Sequence, residues 1–121
     1  MLDHIEIKVR DVETARVFYD GALAPLGMTV LMSGRGFAGY GDARPFFWIG
    51  EAGVKPDVTS HVAFGCESRE VVDAFHKAAL AAGGRDNGAP GVRPLYHPTY
   101  YGAFVLDPDG HNIEAVCHAA E

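Results

Sequence analysis

A chain of 121 residues, 48% of them hydrophobic, has enough material for one packed domain and little room for a second. Its 16 acidic residues outweigh 10 basic ones for a formal charge of -6, so no basic stripe is available for a phosphate backbone or an anionic bilayer. Nucleic acid and membrane are therefore excluded as expected partners. The N-terminal Met1–Glu6 lacks the basic-then-apolar order of a signal peptide, and no stretch approaches the ~20 apolar residues of a membrane span. The cytoplasm is the expected location, with Cys66 and Cys117 as reduced thiols.

In chain order, Asp3–Val9 alternates like a strand, with Ile5, Ile7 and Val9 on one face and His4, Glu6 and Lys8 on the other. Asp11 then offers an N-cap, and Val12, Ala15, Phe18, Tyr19 and Leu23 recur at helical spacing. Strands are expected at Met28–Met32, Phe37–Tyr40 and Pro45–Gly50, separated by glycine-containing turns. The order then repeats. Ser60–Cys66 alternates with the same parity, Ser68 caps a second helix, and Val71, Val72, Phe75, Ala79 and Leu80 form its apolar stripe. A looser strand is expected at Val92–His97, followed by Tyr100–Leu106 and Asn112–Cys117. The last two are joined by Asp107-Pro108-Asp109-Gly110, a sequence with type I turn chemistry. Asn87–Pro98, rich in proline and glycine, reads as a connecting loop or a lid.

The repeat survives a direct test. The gapless offset that carries His4 onto His61 also carries Glu13 onto Glu70, Phe18 onto Phe75, Leu23 onto Leu80 and Gly27 onto Gly84. The single domain 1–121 thus divides into module one, about 1–55, and module two, about 56–121, each strand-helix-strand-strand-strand. Both histidines fall on the strand face opposite the apolar one. Parity along the final strand puts Glu114 on that same face. Two imidazoles and a carboxylate are a common three-ligand set for a catalytic divalent metal.

Three segments carry a family resemblance: Asp3-His4-Ile5-Glu6-Ile7 with the helix start that follows, Ser60-His61-Val62-Ala63-Phe64, and Leu106-Asp107-Pro108-Asp109-Gly110-His111-Asn112-Ile113-Glu114. Together they resemble the vicinal oxygen chelate superfamily of glyoxalases, bleomycin-resistance proteins and extradiol dioxygenases over nearly the whole chain. The resemblance implies an α+β fold of two tandem βαβββ modules. Their curled mixed sheets would surround a metal cavity, with the helices on the outer face. It implies His4, His61 and Glu114 as metal ligands, and pairing into a homodimer with sites formed between modules of different subunits. Where glyoxalase I has a further ligand, this chain carries Trp48. That departure resembles the three-ligand set of fosfomycin-resistance thiol transferases, yet the stretch between Asp86 and Tyr101 has neither the Lys nor the Ser of their anion loop.

The function expected is a divalent-metal-dependent lyase, isomerase or dioxygenase acting on a small molecule that chelates the metal through adjacent oxygens. Zinc, nickel, manganese and iron are all compatible with the ligand set. Glu6, two residues from His4 on the same face, is the first candidate acid or base, and His97 and Tyr100 border the irregular loop as further candidates. Phe46, Trp48 and Phe104 are expected as the apolar cavity wall, with Arg93 contacting an anionic substrate. The alternatives are a fosfomycin-resistance-like thiol transferase and a metal-free bleomycin-resistance-like binding protein.

Overall fold

The computed structural model describes residues 1–121 and resolves the repeat into two four-stranded sheets. Module one contributes β1 (Ile5–Val9), α1 (Val12–Ala22), a 3-10 turn at Ala24–Leu26, then β2 (Thr29–Gly34), β3 (Phe37–Gly41) and β4 (Pro45–Glu51). Module two contributes β5 (His61–Gly65), α2 (Arg69–Ala81), β6 (Arg85–Val92), β7 (Tyr101–Leu106) and β8 (Asn112–Cys117). The strand orders are β1-β4-β3-β2 and β5-β8-β7-β6, so each module pairs its first strand parallel to its last and builds the rest antiparallel. The architecture is the expected α+β pair of βαβββ modules, with no closed barrel.

Local chemistry starts both helices. The Asp11 carboxylate accepts from the Thr14 amide at 2.9 Å, and the Ser68 hydroxyl accepts from the Val71 amide at 3.3 Å. Helix α1 buries Val12, Ala15, Phe18, Tyr19 and Ala22. Helix α2 buries Val72, Phe75 and Ala79, which corrects the expected stripe at its edges. Val71 is only half-buried and Leu80 is exposed, because 100° steps from Val72, Phe75 and Ala79 carry both positions off the inward face.

The irregular segment is the other correction. Arg85–Val92, rather than Val92–His97, is the strand, and turns occupy the residues after it. As an edge strand, β6 pairs only with β7, so Pro90 needs no amide for a second neighbour. Two register shifts, between Asp86 and Gly88 and between Gly88 and Gly91, absorb the glycines that obscured the alternation.

One hydrophobic core serves both modules. Its 22 buried residues run without a break from Ile7 and Tyr19 to Phe75 and Ile113. Phe47 of β4 meets Phe64 of β5 edge to face, their centroids 5.2 Å apart. A module of about 60 residues has a limited core of its own, and the two halves share one cluster.

A polar seam locks the same junction. Asp107 accepts from the Tyr19 hydroxyl at 2.5 Å and from the amides of Asp109 and His111. Asp109 accepts from the Arg10 amide at 3.1 Å. His111, buried to 1% exposure, accepts from the Ser60 amide at Nδ1 and reaches the Lys8 carbonyl with Nε2 at 2.7 Å. Because a carbonyl only accepts, this pairing fixes the Nε2–H tautomer. Gly110, at φ +90°, gives the turn the left-handed residue it requires. The Asp107–His111 run is thus the joint between modules.

Candidate functional site

Helices cover one face of each sheet, and the other face carries the candidate residues. In module two the register sets Ala63 opposite Glu114 and Phe104 opposite Glu114 on the other side, which puts these positions on the open face with His61. His61 sits at the start of β5 with its side chain 53% exposed, whereas the Glu114 side chain in mid-β8 is 1% exposed. The imidazole Nε2 lies 2.7 Å from Glu114 Oε1. The second carboxylate oxygen, Oε2, accepts from the Tyr100 hydroxyl. Gly102 makes room for this contact, since a Cβ there would lie 3.1 Å from both Glu114 Oε2 and the Tyr100 ring.

Burial pushes the Tyr100 phenol up to about 12, with the Glu114 hydrogen bond and charge adding to the shift and Arg93 opposing it. Tyr100 is therefore a protonated donor at neutral pH. Beside this trio, the Phe104 ring lies 6.0 Å from the His61 ring, and the Arg93 guanidinium stands 5.5 Å from the Phe104 centroid. Asn112, in register with His61, has a buried side-chain oxygen without a hydrogen-bond partner. The structure thus brings His61, Glu114, Tyr100, Phe104 and Arg93 together.

The remaining candidates lie elsewhere. His4 precedes β1, more than half exposed, with Nδ1 2.7 Å from Asp3 Oδ1. That hydrogen bond, with the Arg44 charge second, holds the Asp3 carboxyl below its usual range. His4 lines a cleft of about 240 Å³ between the modules, walled by Phe46 and Phe47 on one side and Ala63 and Phe64 on the other. Within one chain no three histidine, cysteine or acidic side chains gather into a metal-binding group. Glu6 is paired with Lys8 at 2.7 Å and exposed. Its Oε2 overhangs Gly50, whose missing side chain makes the space.

Trp48 lies flat on Gly39, 6.3 Å from the Phe37 ring, and walls the open face of module one. His97 accepts from the Thr99 amide and stacks edge-on with His118 at 5.9 Å, off the His61–Glu114 pair. His76, on α2, bonds Asp86 at 3.0 Å. His111, quoted above only as part of the Leu106–Glu114 segment, is the buried histidine of the module joint. Its place directly after the Asp107–Gly110 turn was the available signal that the turn would carry it inward.

Comparison with known proteins bears on the fold and the family. The family profile described as the Glyoxalase/Bleomycin resistance protein/Dioxygenase superfamily matches residues 1–115. No curated protein matches the chain. Among solved structures, a glyoxalase/bleomycin resistance protein from Albidiferax ferrireducens T118 is 30% identical, with a TM-score of 0.82 over 94% of this chain and 96% of that one. A structure described as a possible glyoxalase from Bacillus cereus is 28% identical, with a TM-score of 0.66 over 97% of this chain and 98% of that one. A glyoxalase/bleomycin resistance protein/dioxygenase family enzyme from Burkholderia phytofirmans PsJN shares the fold at 20% identity, with a TM-score of 0.76 and 98% of each chain covered. The chain belongs to the Glyoxalase/Bleomycin resistance protein/Dioxygenase superfamily.

Proposed function

We propose that this protein is a divalent-metal-dependent glyoxalase-like enzyme, a lyase, isomerase or dioxygenase, whose small-molecule substrate chelates the metal through adjacent oxygens. The observation that carries this reading is the Glu114 carboxylate, 1% exposed on the sheet face away from the helix and contacted at its two oxygens by His61 and Tyr100. Burying a carboxylate is costly unless it is compensated, and such pairs concentrate at functional sites. An imidazole nitrogen beside a buried carboxylate fits a divalent ion such as zinc, nickel, manganese or iron. The set is short by one ligand in a single chain, and exposed His4 is the residue that would complete it from a second copy in a homodimer.

When bound, the ion supplies a Lewis acid for the substrate oxygens. The chain's own groups do the rest. Before an ion binds, Glu114 holds the His61 ring beside it through the 2.7 Å contact. Tyr100, protonated at neutral pH, gives its one O–H to Glu114 and keeps that carboxylate oxygen in place. Phe104, beside the His61 ring, and Trp48, beside Phe37, supply apolar surface on the two faces. Glu6 is the candidate proton acceptor, held close to Lys8 until a substrate displaces that ammonium.

The test is anaerobic purification and metal analysis of the native protein beside His61→Ala and His4→Ala, with sedimentation of each. A tightly bound divalent ion that is lost in both variants, in a dimeric protein, is the expected result. Equal metal in all three overturns the reading. Oxygen uptake with catechols, compared with turnover of hemithioacetals, then separates redox from non-redox chemistry. The second reading, a metal-free binding protein, is favoured by one observation, the position of His4 away from His61 and Glu114.

A further inference from the structure

Arg93 is held where a free surface arginine would not be. Its Nη2 donates to the Ala89 carbonyl at 2.7 Å, and the guanidinium stands over the Phe104 ring. Two glycines of β6 leave the space for it. A Cβ at Gly91 would come within 2.9 Å of Nη1, and one at Gly88 within 3.2 Å of Nη2 and 2.8 Å of the Phe104 ring. Gly88 sits at φ +154°, which other residues rarely adopt. The charge so positioned meets no carboxylate, being absent from every ion pair in the chain. The one ring of Phe104 is flanked by this cation and by His61. A guanidinium with one nitrogen tied to a carbonyl keeps other N–H groups for a planar or tetrahedral oxyanion.

We infer that the open face of module two is an anion subsite, in which Arg93 binds a carboxylate or phosphate of the ligand while the ligand's flat apolar part lies on Phe104. The substrate class is thus a small oxyanion-bearing molecule, with its chelating oxygens directed to His61 and Glu114. Only that last assignment rests on the metal-enzyme reading, since the anion subsite needs no metal.

The full-length protein, stripped of metal by chelation, is titrated with benzoate, phenyl phosphate and the uncharged benzyl alcohol, with amide resonances followed by NMR. Benzoate or phenyl phosphate should shift the Gly88, Gly91 and Phe104 signals at concentrations where benzyl alcohol does not, and the tighter of the two identifies the oxyanion. Arg93→Gln should weaken the anion roughly tenfold or more, Arg93→Lys should restore part of the affinity, and Arg35→Gln in the β2–β3 turn should change nothing. Because the titration is made on metal-free protein, failure of the metal reading is read separately, from the metal content of the native protein. Equal binding of benzyl alcohol, no binding of either anion, or unchanged anion affinity in a folded Arg93→Gln protein each overturns the subsite.

Discussion

His111 reaches across the module boundary and donates from Nε2 to the Lys8 carbonyl at 2.7 Å, a contact spanning 103 positions of sequence. The same ring accepts from the Ser60 amide at 2.9 Å, so one buried imidazole satisfies the ends of β1 and β5 at once. Truncating it leaves a backbone donor and a backbone acceptor without partners. His111→Ala is expected to cost about 2–4 kcal/mol of unfolding free energy, measured by denaturant titration with an unchanged slope. A loss below a few tenths of a kcal/mol would show that the seam does not hold the modules.

Alkaline stability follows from the same seam. Burial, reinforced by Asp107, holds the Tyr19 phenol far above its ordinary value, and burial with the Asp20 hydrogen bond raises Tyr40. In the unfolded chain both phenols lose their protons near pH ~10, so above that pH the folded state binds more protons than the unfolded one. Their contribution is complete below pH ~10 and is lost as the pH rises beyond it. Urea midpoints should therefore be level toward pH 10 and fall above it. Tyr19→Phe should be less stable at neutral pH, because Asp107 loses a partner, and should show a shallower alkaline decline.

The two thiols should be slow. Cys66 is pushed up to about 11, mainly by burial and then by neighbouring Cys117, while Cys117 itself is fully buried. At pH 8 the Cys66 thiolate is depleted on the order of a hundredfold relative to a free cysteine. Disulfide-exchange reagents should label the native protein slowly and the urea-unfolded protein at once. Rapid native labelling of Cys66 at pH 8 would contradict this placement.

The single tryptophan reports on module one's open face. Trp48 packs flat on Gly39, where a Cβ would lie 2.6 Å from the indole ring. Gly39→Val should lift the indole, shifting its fluorescence to longer wavelength, while the far-ultraviolet circular dichroism stays that of the parent. An unshifted spectrum would mean that the ring does not use this glycine.

Much of this molecule is set locally. The period-two alternation in Asp3–Val9 and Ser60–Cys66, the caps at Asp11 and Ser68, and the Asp107–Gly110 turn each depend on neighbours within a few residues. The repeat that carries His4 onto His61 then multiplies those signals, so the two βαβββ modules were legible, as was the parity that sets His61 and Glu114 on one face. The Arg85–Val92 strand was not, because an edge strand with one partner tolerates Pro90 and two register shifts that erase its alternation.

How the faces meet is set by long-range packing. Parity makes His4, His61 and Glu114 equivalent in orientation but says nothing of the distance between modules, and the folded chain joins His61 to Glu114 while His4 turns to Asp3. The burial of His111 and the pairing of Tyr100 with Glu114 also depend on long-range packing. So does the seat of Arg93 on Phe104. One packed core serves both halves of a 121-residue chain, and that shared burial sets which polar groups can reach one another.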